Sequence, residues 1–222
     1  MEIVIDRKFR GPTGSANGGY TCGLLASFLH GPAEVTLRRP PPLERPLEVA
    51  TEGALELRDG DDLVAEAAEA TLTLAVPDPI SFEAAAAAAL PGGDQESVFP
   101  ECFVCGWTRE DGLRIYAGPV DGGGLVAATW APRDDVIASE FIWAALDCPG
   151  AYAVEFGQRG NPVLGRLTAR VEHLPHAGER CVVMGWPLGE EGRKLYAGTA
   201  LFGEDGRVLG SAHATWIMPR VG

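Results

Sequence analysis

The sequence predicts an α+β protein made of two tandem units, each an antiparallel sheet wrapped around one central apolar helix. Two observations carry this reading. The order strand, glycine-rich turn, apolar helix and then several alternating strands occurs twice along the 222 residues. Each helical segment also holds an apolar run without charge, which marks a buried helix and not a surface one. A chain of this length accommodates two units of about 100 residues.

In the first unit, residues 2–9 alternate apolar and charged side chains as a strand does, and Gly11, Pro12, Gly14, Asn17, Gly18 and Gly19 follow as a turn-rich stretch. Residues 20–29 carry Leu24, Leu25, Phe28 and Leu29 among small uncharged residues, and Gly31-Pro32 stops the helix. Residues 33–39, 46–57 and 62–76 read as strands, the last two separated by a hairpin turn around Asp59-Gly60. The alternation breaks at Pro77. Ser81 is placed to cap a short Ala-rich helix reaching Leu90, and Pro91-Gly92-Gly93-Asp94 supplies loop chemistry.

The second unit repeats the plan. Strands are predicted at 113–118 and 124–131, and a second helix lies within 139–155, through Phe141, Ile142, Trp143, Ala144, Ala145 and Leu146. Strands follow at 163–174, 179–188, 194–202 and 208–218, with Glu190-Glu191-Gly192 and Glu204-Asp205-Gly206 as hairpin turns. The expected organisation is a unit at 1–78, a linker at 79–98 and a unit at 99–222. Identity between the halves is faint, and its anchors are Val35-Thr36-Leu37-Arg38 against Leu167-Thr168-Ala169-Arg170 and Glu69-Ala70-Thr71-Leu72 against Ala212-His213-Ala214-Thr215-Trp216.

Composition narrows the function. Hydrophobic residues at 46% and charged residues at 22% give a chain able to bury a core. A net charge of −13 argues against a nucleic-acid partner, because phosphate binding needs a concentrated basic face. No run approaches a membrane span, and the first ten residues alternate charge with Ile and Val, unlike a signal peptide. A cytoplasmic protein is expected, with self-association through its open sheet edges.

Five cysteines, Cys22, Cys102, Cys105, Cys148 and Cys181, do not describe a disulfide framework. Cys102 and Cys105 have zinc-finger spacing, but no second CxxC or His pair completes four ligands, so no metal is expected. No His lies near Cys148 to make it a nucleophile.

Asn17-Gly18-Gly19 at the first helix, Trp143 through Gly150 in the second, and Cys102-Phe103-Val104-Cys105-Gly106 followed by Gly112-Leu113-Arg114 carry a family resemblance. The chain resembles the double-hotdog members of the thioesterase-like superfamily over its whole length. That resemblance implies a thioesterase acting on an acyl-CoA or acyl-carrier thioester without a cofactor. In such enzymes an Asp or Glu on the central helix works against the helix start of the partner unit. Matching Gly19 with Ser139 puts Ser27 in one helix where the other has Asp147, so one complete site is implied.

Thioester hydrolysis needs hydrogen-bond donors for the carbonyl oxygen and a base or nucleophile across the carbon. Gly18 and Gly19 at a helix N-terminus are the expected donors and Asp147 the expected base, with Asn17 orienting substrate or water. The plainer alternatives are that Asn17 only caps the helix, that the glycines only permit a tight turn, and that Asp147 sits at an exposed helix end. Thr168, Arg166 and Arg170 are the expected substrate contacts, with Arg38, Arg39, Arg193 and Lys194 also available for coenzyme A phosphates, the plainer alternative being that most of these cations are solvated strand-edge charges. A non-catalytic acyl-CoA or fatty-acyl binding protein is the alternative function. A hydratase of the same superfamily is disfavoured, because no Asp and His stand at the helix start.

Overall fold

The apolar alternation that follows each helix becomes one continuous antiparallel sheet in the computed structural model, which describes residues 1–90, 99–120, 124–154 and 160–219. The first half contributes β1 (Glu2–Val4), α1 (Gly18–Ala26), β2 (Ala33–Leu37), β3 (Pro46–Ala50), β4 (Leu55–Asp59) and β5 (Asp62–Glu69), followed by α2 (Phe82–Ala88). The second contributes β6 (Gly118–Pro119), β7 (Val126–Trp130), α3 (Ser139–Ala145), α4 (Cys148–Ala153), β8 (Val163–Val171), β9 (Cys181–Glu191), β10 (Lys194–Phe202) and β11 (Val208–Ile217).

The sheet order is β1-β3-β4-β5-β2-β8-β11-β10-β9-β7-β6. Its halves meet where β2 pairs with β8, with Val35 opposite Leu167. Outward from that seam the order repeats. The strand that follows the helix lies innermost, and the last strand of the same run, β5 or β11, lies beside it.

Two glycines bring α1 onto α3. A Cβ on Gly19 would stand 2.6 Å from the Trp143 carbonyl oxygen, and one on Gly23 would stand 2.6 Å from Glu140 Cα. Such contact distances admit only hydrogen at those positions. The helices bury Leu25, Ile142 and Leu146 against Val35, Leu167 and Leu201 of the sheet, all fully inaccessible. Transfer of such side chains from water is worth about 1.5–3 kcal/mol each.

Several expectations change on contact with the structure. The strand predicted over 46–57 is a hairpin, β3 and β4, turned at Gly53 with φ +100°. Residues 113–117 form no strand: Arg114 has φ +59°, and the Leu113 and Ile115 amides donate to Phe103 and Val104 in the CxxC loop. The single helix predicted within 139–155 divides at Leu146 and Asp147 into α3 and α4. Ser81 caps α2, accepting from the Ala84 amide at 3.1 Å. The predicted loop at Pro91-Gly92-Gly93-Asp94 and the position of Glu155 lie outside the described residues. Among the described residues no helix is long and apolar enough to cross a membrane.

Candidate active site

The first turn of α1 and the break between α3 and α4 build the site together. Asn17 is the N-cap of α1, its side-chain oxygen accepting from the Tyr20 amide at 2.8 Å. Its amide nitrogen then donates to Asp147 Oδ2 at 2.9 Å. The Gly19 N–H donates to the same oxygen, also at 2.9 Å. Asp147 stands at the N-cap position of α4 but caps nothing with its side chain, and it is only 3% exposed. The break that holds it is fixed from the sheet, where the Thr199 hydroxyl donates to the Leu146 carbonyl at 2.9 Å.

Burial pushes the Asp147 carboxyl up to about 7. The Gly19 and Asn17 hydrogen bonds oppose that rise, and the neighbouring Cys102 sulfur adds to it. Oδ2 is therefore held by two donors, whereas Oδ1 is buried without a hydrogen-bond partner.

Asp147, Asn17 and Gly18 line a cavity of about 340 Å³ whose other walls are mainly apolar, among them Leu37, Phe99, Ala151, Leu164, Trp216 and Ile217. Arg38 and Arg39 also line it, half-exposed and paired with Glu66 at 2.5 Å and Asp62 at 2.7 Å. The Trp216 indole N–H is buried without an acceptor. Among the described residues, it and Asp147 Oδ1 are the only buried side-chain nitrogen or oxygen atoms without a partner. Buried polar atoms are nearly always satisfied, and the two residues that carry these unpaired atoms both line the same cavity, which singles it out as the candidate site.

No family model matches the chain, and no curated protein matches it. Solved structures do. A conserved protein of unknown function with hot dog fold from Alicyclobacillus acidocaldarius superposes with a TM-score of 0.65 at 11% identity, covering 99% of this chain and 93% of that one. The chain has the hotdog fold. A proposed thioesterase from Novosphingobium aromaticivorans is similarly close, with a TM-score of 0.66 at 14% identity over 99% of this chain and 95% of that one. A TesB protein from Mycobacterium avium subspecies paratuberculosis gives 0.59 at 12% identity over 95% of this chain and 90% of that one.

Within this hotdog fold the residues singled out in the sequence separate into two groups. Asp147, Asn17, Gly18 and Gly19 come together, but with a difference: the Gly19 N–H, expected to face an oxyanion, is engaged by the carboxylate. Thr168, Arg166 and Arg170 are not among the residues that line this cavity. They alternate along β8 with Leu167 and Ala169, which are buried in the core, and so they face the other side of the sheet. There Thr168 donates to Glu34 at 3.0 Å, Arg166 donates to Thr36 at 2.9 Å, and Arg170 pairs with Glu172 at 3.3 Å. The β-strand period had aimed them outward, and their types alone concealed it.

Two features of the site escape the sequence. Trp216 is one of five tryptophans, and nothing local separates a pocket indole from a core one. Cys102, Cys105 and Cys148 also converge beside Asp147, from segments more than 40 residues apart.

Proposed function

We propose that the protein is a double-hotdog thioesterase, with units at 1–78 and 99–222 joined by 79–98, in which Asp147 activates water. The repeated strand order on either side of the β2 and β8 seam supports the duplication. The observation that carries the activity is a buried carboxyl, Asp147, that lines a mainly apolar cavity with one oxygen held by Gly19 and Asn17 and the other unpaired.

In this reading the acyl chain lies against the apolar walls and the thioester carbonyl comes to the α1 start, where Gly18 offers an N–H donor. Asp147 Oδ1 takes a proton from water as the water oxygen bonds to the carbonyl carbon. The tetrahedral intermediate then collapses, the C–S bond breaks, and the departing thiolate takes the proton back from Asp147. The products are a carboxylic acid and a free thiol. Asn17 and the Gly19 N–H keep the carboxylate in place through Oδ2. Arg38 and Arg39 are the cations nearest to hand for the phosphates of coenzyme A or a carrier arm.

A panel of acyl-CoA esters of increasing chain length, assayed for thiol release beside thermal stabilisation, tests the proposal. Turnover of at least one ester is expected. Stabilisation by an ester without thiol release points instead to a binding protein.

A further inference from the structure

The sulfur atoms of Cys102, Cys105 and Cys148 all lie within 4.8 Å of one another and are buried. Cys102 Sγ is 3.8 Å from Cys148 Sγ. Zinc–thiolate bonds of about 2.3 Å in tetrahedral geometry set sulfur atoms about 3.8 Å apart, so this edge already has the length a zinc ion requires.

The loop is shaped around the first sulfur. The Gly106 amide closes the turn on the Cys102 carbonyl at 2.8 Å, and a Cβ on Gly106 would stand 2.4 Å from that oxygen. The turn aims the Val104 and Cys105 peptide N–H groups at the Cys102 sulfur, and Asn17 adds a side-chain amide at 3.9 Å. Donors gathered around one sulfur suit its role as a metal ligand.

The structure assigns Cys102, Cys105 and Cys148, we propose, as three ligands of a thiophilic divalent cation of the zinc class, with a fourth position open to water in the cavity that all three line. The sequence reading expected no metal because it looked for a second closely spaced pair. Here the third sulfur instead comes from the start of α4. The ion would tie the loop at 102–105 to the helix that follows Asp147. The inference stands whether or not the protein hydrolyses thioesters.

Cobalt titration of the reduced, metal-free full chain reads the site directly. The expected result is saturation at one equivalent, with sulfur-to-cobalt charge-transfer absorption that zinc abolishes by displacement. Cys148→Ser should lose that absorption and Cys181→Ser should keep it. Because a serine variant can fail to fold, alkylation of the unaltered protein gives a second readout. Zinc should protect Cys102, Cys105 and Cys148, a chelator should restore their reaction, and Cys22 and Cys181 should be indifferent to both. Absence of the charge-transfer band, full absorption in Cys148→Ser, or equal alkylation of the three with and without zinc would overturn the assignment.

Discussion

Asp147 Oδ2 lies 2.9 Å from the amide nitrogen of Gly19, across the contact between the first helix and the broken second one. The two residues are 128 positions apart, and the contact exists only because the halves of the chain share one sheet. It fixes one oxygen of a carboxyl group that lines the cavity and leaves the other unpaired.

Gly19→Ala should destabilise the protein and disturb the site together. The new Cβ would meet Asp147 Cβ at 2.5 Å and the Trp143 carbonyl oxygen at 2.6 Å, neither of which can rotate away. Overpacking of this kind costs about 1–3 kcal/mol, partly masked by an alanine helix propensity about 1 kcal/mol better than glycine's. Gly18→Ala is the comparison, because its Cβ meets only the Leu164 and Leu37 side chains, at 3.0 and 3.2 Å and beyond. Thermal melts should show a clear loss at position 19 and little or none at position 18.

Asn17→Ser and Asn17→Ala separate capping from support of the carboxylate. Serine keeps an N-cap acceptor but is too short to reach Asp147. Loss of a hydrogen bond to a charged group is worth about 1.5–3 kcal/mol, or about 10–100-fold in rate if it all falls on the transition state. Both variants should lose thiol release to a similar degree, and Asn17→Ala should be about 1 kcal/mol less stable than Asn17→Ser in urea titrations.

The strands and hairpins were legible because their causes are local. Residues 194–202 were predicted and found as a strand over the same span, and Gly60, Gly192 and Gly206 sit at positive φ in the turns their Asp-Gly and Glu-Gly contexts announced. Residues 113–117 misled for a physical reason. Leu113, Ile115 and Ala117 alternate and are buried, but the Leu113 and Ile115 amides bond to carbonyls of the CxxC loop instead of joining a ladder. Alternation reports which side chains are buried and does not report what the backbone bonds to. Asp147 stood out as an acid inside an apolar run, yet its unpaired oxygen, the Trp216 N–H and the third cysteine sulfur are tertiary facts without a spacing that announces them.

Thr199→Val should loosen the break that positions Asp147. The Thr199 hydroxyl is fully buried and bonds the Leu146 carbonyl, so valine leaves that oxygen without this donor at nearly constant volume. A loss of about 1–3 kcal/mol is expected in denaturant unfolding, with reduced thiol release under conditions where the variant remains folded.

Glu179→Gln should cost stability without touching turnover. The Glu179 carboxylate is 1% exposed and accepts from the His176 amide at 3.0 Å and the Glu204 amide at 3.2 Å, and none of the three residues lines the cavity. Glutamine puts an NH₂ donor against one of those N–H groups, an exchange worth about 1–3 kcal/mol. Urea unfolding should register it, and thiol release by the folded protein should match that of the unaltered chain.

The most direct measurement is the rate of thiol release by Asp147→Asn beside the unaltered protein, on whichever ester the panel shows to be turned over. Asparagine keeps the shape and can still accept from the Gly19 N–H, so the fold and its melting temperature should survive while the rate falls by about 10²-fold or more. A folded Asp147→Asn protein that releases thiol at the original rate would contradict the account.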